Sequence, residues 1–99
     1  MNFKIIDQKA LAVATRFKKN EVELLEVIIK VDRFKVYRKL GYNSLFQYVV
    51  QRLKLSEAQA YGFINVVRKS HQVPKLRESI KNGRLSVSKA RRITSVLTS

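Results

Sequence analysis

Cysteine and tryptophan are absent, and 99 residues hold one proline, three glycines and one histidine. Without cysteine there is no disulfide framework, no zinc ribbon and no thiol nucleophile. Unbroken apolar runs stay short (Ala10 to Ala14, Val27 to Ile29), so no segment reads as a bilayer span and no membrane partner is expected. The opening M-N-F-K-I-I-D-Q-K has neither the apolar core nor the small-residue cleavage site of a secretory leader. A cytoplasmic chain is expected on those grounds. Acidic residues are scarce too, seven against 21 Lys and Arg, for a net charge of +14.

The distribution of charge is more telling than its total. Residues 1–32 carry six basic and five acidic side chains, a net of +1. Residues 33–99 carry fifteen basic side chains against Glu57 and Glu78 alone, a net of +13. Such a density repels itself on a folded domain, and a polyanionic partner relieves the repulsion. Nucleic acid is the expected partner, which implies a nucleoid-associated location.

With 45% hydrophobic residues the chain can fill the core of one domain, 1–99. Few glycines and no alternating stretch leave helical periodicity almost throughout, so the expected fold is all-α, five or six short helices around a central helix-turn-helix. Residues 1–40 read as N-terminal helices. Ala10, Leu11, Ala14 and Phe17 form one stripe of a first helix over 7–19. Asn20 with Glu23 makes a capping-box-like start for a second, whose stripe is Val22, Leu25, Ile28 and Ile29. The pattern continues through Val31, Phe34, Val36, Tyr37 and Leu40 and stops at Gly41, a natural C′ glycine. The 21–40 stripe is either core or a dimer seam, so a homodimer is one expectation.

Two further caps follow: Ser44 with Gln47, then Ser56 with Gln59. The first opens a short helix buried through Leu45, Phe46, Val49, Val50 and Leu53. The second opens a helix to about Ser70, with Ala60, Phe63, Ile64 and Val67 inward. Pro74 starts another helix, ending at Asn82-Gly83, and Ser86 caps a last one carrying Val87, Ala90, Ile93 and Leu97. Residues 74–97 are thus expected as supporting basic helices.

Helices that meet across a short turn at 44–70, the second capped by Ser56, suggest a helix-turn-helix. Its second helix must bury one stripe and present the other to a DNA major groove. Glu57, Ala58, Gln59, Tyr61, Gly62, Asn65, Arg68 and Lys69 make up the presented stripe. Base-edge candidates are Glu57, Gln59, Tyr61, Gly62 and Asn65; Gln and Asn can bond adenine bidentately. Gly62, costing roughly 1 kcal/mol against alanine in a helix, would let the backbone approach the groove floor. Phosphate candidates are Arg52, Lys54, Ser56 (through helix N-terminal amides), Arg68, Lys69, Arg84, Lys89, Arg91 and Arg92, with Lys75, Arg77 and Lys81 beside them.

Residues 53–93, from L-K-L-S-E-A-Q-A-Y-G-F through V-P-K-L to G-R-L-S-V-S-K-A-R-R-I, resemble the helix-turn-helix core of ParB-type partition proteins. Y-R-K-L-G-Y-N-S-L-F-Q-Y, residues 37–48, is similar to the helical N-terminal region of bacterial HNH-endonuclease-like proteins, in which L-x-L-S-x-x-x-A-Y and G-R-L-S follow in this order. Together the resemblances span roughly residues 20–97. The ParB-like one implies DNA binding through the helix opening at Ser56. Nothing matches the ParB nucleotide-binding segment, so CTP hydrolysis is not implied.

No catalytic residue is expected. An HNH centre needs at least two histidines beside its other metal ligands, and His71 is the only one; a nuclease parent would carry its centre beyond residue 99. Ser44, Ser56, Ser86 and Ser88 read as caps, without a paired base. No glycine-rich phosphate loop, metal site, cofactor or small-molecule substrate is expected. Tyr37, Tyr42 and Tyr48 read as core or rim, and Tyr61 as outward. The function expected is double-stranded DNA binding, as the targeting region of a larger nuclease-like protein or as a small regulator. The alternatives are an adaptor that docks or dimerises through 21–40, and RNA binding through the basic helices.

Overall fold

The computed structural model describes residues 2–97, with side chains described as far as Thr94. It is all-α: six helices, and no strand among the described residues. Helix α1 spans Phe3–Arg33, α2 Val36–Lys39, α3 Leu45–Gln47, α4 Glu57–Gln72, α5 Pro74–Lys81 and α6 Val87–Leu97. A π-helical turn, Tyr48–Arg52, continues α3.

Helix α1 runs unbroken for 31 residues, where two helices meeting at Asn20 were expected. The physical reason is local. No glycine or proline interrupts residues 3–33, and ordinary i→i−4 bonding satisfies the amides that an Asn20 cap would serve. The cap in use is Asn2, whose side chain accepts the Lys4 N–H at 3.0 Å. Helix α1 ends where Lys35 turns left-handed at φ 54°, which places the break after Phe34.

The remaining boundaries follow the capping chemistry. Gly41 at φ 91° closes α2, with Gly41 N–H donating to Arg38 O and Tyr42 N–H to Tyr37 O, a Schellman ending. Ser44 Oγ accepts the Gln47 N–H at 3.0 Å, while the Gln47 side chain reaches back to the Asn43 amide. Pro74 sits in the first turn of α5. Gly83 follows α5 at φ 82°, and Ser86 Oγ accepts the Lys89 N–H at 3.1 Å to start α6.

Helix α4 is the centre of the packing. It contacts α1, α3, α5 and α6, and Ala60, Phe63, Ile64, Val66 and Val67 are buried along it. Leu25, Ile28, Ile29 and Val31 enter the same core from α1, with Tyr37, Leu45, Tyr48, Val49, Ile80, Val87 and Ala90. The 21–40 stripe therefore serves as core through Leu25, Ile28, Ile29, Val31 and Tyr37, with Val22 and Val36 packed against it, whereas Phe34 and Leu40, expected on the same stripe, are exposed. On α6 the inward position is Thr94, whose hydroxyl donates to Ala90 O at 2.9 Å; Ile93, expected inward, is exposed. The Leu97 side chain lies outside the described residues.

The first half of α1 leaves the body. Every residue from Asn2 to Asn20 is exposed, so the stripe Ala10, Leu11, Ala14 and Phe17 covers nothing in its own chain. Thirty-one helical residues reach about 46 Å, which accounts for the 51 × 28 × 23 Å extents of the molecule. No helix of the described residues is long and apolar enough to cross a membrane.

Ile28→Ala, at a fully buried position, is expected to lower unfolding free energy by about 2–5 kcal/mol. Leu11→Ala should change it by under about 0.5 kcal/mol. Chemical denaturation checks both, and equal losses would contradict the projecting arm.

Candidate nucleic-acid interface

Helix α4 opens at Ser56 with both bonds of a capping box: Ser56 Oγ accepts the Gln59 N–H, and Gln59 Oε1 accepts the Ser56 N–H, each at 3.1 Å. The turn before it is tight. Leu53 N–H donates to Tyr48 O across the π turn, Leu55 N–H donates to Val49 O, and Lys54 is left-handed at φ 63°. The Phe46 ring stacks on Tyr61 at 4.6 Å between centroids, so α3 and α4 are clamped on the outside as well as through the core.

Burial of Ala60, Phe63, Ile64, Val66 and Val67 leaves α4 one open side. At 100° per residue, Ala58, Tyr61, Asn65, Arg68 and Lys69 fall on it. Tyr61 and Arg68 are exposed, while Asn65 and Lys69 are partly covered. Helix α6 walls one edge: Ala58, Tyr61, Gly62 and Asn65 line a groove with Ser88, Arg91 and Arg92. The structure thus brings together three base-edge candidates and two phosphate candidates separated by some thirty residues.

Other candidates lie elsewhere or have other work. Gln59 points away from the open side, and its oxygen caps the Ser56 amide. Glu57 is exposed at the helix start, outside the groove lining. Arg52 and Lys54 are exposed at the turn, Arg84 is exposed in the loop after α5, and Lys89 sits on the first turn of α6, about a quarter turn from Ser88 and Arg92. Lys69 Nζ lies 3.5 Å from Gln72 Oε1.

Gly62 has an intramolecular reason. A β-carbon there would collide with Arg91 Nε, so the glycine leaves room for the arginine crossing from α6. The Arg91 guanidinium sits over the Phe63 ring at 5.4 Å, and its Nε is buried without a hydrogen-bond partner. Close approach to a groove floor is not required to explain Gly62. Ser88, expected as a cap, lies inside α6, where Ser86 holds the capping place, and lines the groove instead; the spacing Ser88, Arg91, Arg92 marks one side of a helix.

Two carboxylates, Glu26 and Asp32, are engaged away from this groove. Glu26 on α1 takes Arg77 on α5 through two guanidinium nitrogens, at 3.1 and 2.5 Å; the Glu26 hydrogen bond raises the Arg77 pKa above its usual value. Arg77, expected among phosphate candidates, is thus committed to a half-exposed ion pair. Asp32 takes His71 at 3.4 Å and Lys35 at 3.9 Å. Among the described residues no group of three His, Asp or Glu side chains is placed to hold a metal.

No family model, curated protein or solved structure matches the chain.

Replacing Gly62 by alanine in an Arg91→Ala background is expected to stabilise the fold by about 1 kcal/mol, the helix-propensity gain. With Arg91 present the gain should shrink or reverse. A double-mutant cycle by thermal unfolding measures this, and additive effects would break the proposed steric link.

Proposed function

We propose that the chain binds double-stranded DNA, with α3, the turn at 53–56 and α4 acting as a helix-turn-helix and the open side of α4 entering the major groove. The observation that carries this reading is the shared groove of α4 and α6. It sets Tyr61 and Asn65 beside Arg91 and Arg92, continues along α4 to Arg68 and Lys69, and lies on the part of the chain whose net charge is +13. The resemblance to ParB-type partition proteins and to the N-terminal region of HNH-endonuclease-like proteins supports the same reading. It suits a targeting region or a small regulator, with no catalytic step assigned to these residues.

Roles divide by chemistry. Asn65 carries an amide able to donate to and accept from an adenine edge, and Tyr61 offers a hydroxyl and a ring. Arg68, Lys69, Arg91 and Arg92 would take phosphates flanking the groove, with Arg52, Lys54, Arg84 and Lys89 as further phosphate contacts. Gln59, tied into the cap, contributes to α4 and not to base choice.

Lys69→Ala is expected to weaken binding to every duplex and to reduce the slope of log K against log salt by about 0.9, the value of one phosphate contact. Asn65→Ala should instead change the ranking of duplexes, costing about 1–3 kcal/mol on the preferred one. Fluorescence anisotropy over a salt series reads both. Identical behaviour of the two variants on all duplexes, or preferential displacement of DNA by structured RNA, would overturn the assignment.

A further inference from the structure

The arm of α1 has an apolar stripe that its own chain leaves open. Phe3, Ile6, Ala10, Val13 and Phe17 recur at spacings of three and four residues, the a and d positions of a heptad. Phe3 is 76% and Phe17 61% exposed. Ile6, Ala10, Val13 and Phe17 line one shallow groove along the helix, flanked by Lys9 and Ala14. The same register continues through Asn20 and Leu24 to Val27, itself exposed on the shoulder of the body. In this register Val22 and Ile29 take f positions and Leu25 a b position, so these body-facing residues lie on the side of the helix away from the seam, and only Leu24 of the seam packs against the core. A second helix can therefore lie against the seam without displacing the core.

We propose that the occupant is the same arm of a second copy, paired parallel and in register as a short coiled coil. Charge decides both partner and direction. In the parallel arrangement a g position faces the e position five residues on in the other helix. Arg16 then meets Glu21 of the other copy, twice by symmetry, while Lys9 meets Ala14 and Asn2 meets Asp7. Asn20, the polar d position, meets its own equivalent, where two amides bond to each other and hold the register. Antiparallel pairing over the same length sets Lys9 against Arg16 and buries Asn20 against Phe3. Both are unfavourable. The bodies fall on opposite sides of the parallel seam, giving a twofold particle with two copies of α4.

The absence of cysteine makes a direct test simple. The full chain should change from one to two copies in mass by sedimentation equilibrium over a series reaching about 1 mM. Val13→Asp, on the exposed seam, should leave it monomeric, whereas Leu11→Asp, exposed but off the seam, should leave dimerisation intact. Both positions are exposed, so helix content by circular dichroism should remain similar. Val13→Cys should oxidise to a covalent dimer with itself. A monomer at all concentrations, equal effects of the two aspartates, or preferential cross-linking of Ala10→Cys to Val13→Cys chains would overturn the proposal. So would binding of the monomeric arm to anionic vesicles in place of self-association. None of these readouts uses DNA, so failure here leaves the proposed function standing, and the converse holds.

Discussion

Enclosure of α4 is the constraint on which the other features depend. Four helices pack around it, and five of its side chains are buried apolar residues, so it can neither rotate nor slide without opening the core. What remains outward is a single narrow side. The face that could read a ligand is therefore fixed by burial on the opposite faces, and a side chain such as Asn65 gains its direction from Ala60, Phe63 and Val67. The Arg91 crossing at Gly62 adds a lock of a different kind, in which a missing β-carbon on one helix is matched to a guanidinium from another.

Electrostatics sort the molecule into two regions. The few carboxylates with long-range partners, Glu26 and Asp32, lie on α1 and bind Arg77 from α5 and His71 from the end of α4. These pairs staple the back of the bundle, though exposed pairs of this kind contribute at most about 1 kcal/mol each. The groove of α4 and α6 lies apart from them and holds cations beside amides, a hydroxyl and small side chains. Five of the seven carboxylates lie on α1; of the other two, Glu57 opens α4 and Glu78 sits in α5.

Much of the fold was legible because caps and glycines act locally. Gly41, Ser44, Ser56, Pro74, Gly83 and Ser86 each sit at the boundary their chemistry predicts, since a side-chain cap or a left-handed residue needs only its immediate neighbours. Asn20 shows the limit. A capping residue ends a helix only when the preceding turn has reason to stop, and nothing in Arg16–Asn20 supplies one. Gln59 exposes a second limit: two roles compatible with one residue type cannot be separated until geometry shows which way the amide turns. The pairing of Gly62 with Arg91, like that of Glu26 with Arg77, joins residues far apart in sequence and left no local trace. On α6 rotation puts Thr94 between Val87 and Ala90 and Ile93 to one side of them, and the Thr94 hydroxyl, returned to the carbonyl four residues back, satisfies its polar group in the core.

The overhang of α1 also has a mechanical side. Residues 3–20 extend about 27 Å from the point where the body takes hold of the helix, so a bend of about 10° near Asn20 would carry the tip through roughly 5 Å. A cantilever of that length converts small angular changes at its root into large excursions at its end. Two such levers joined along their length would lose that freedom together, and the spacing between the bodies they carry would become as stiff as the rod.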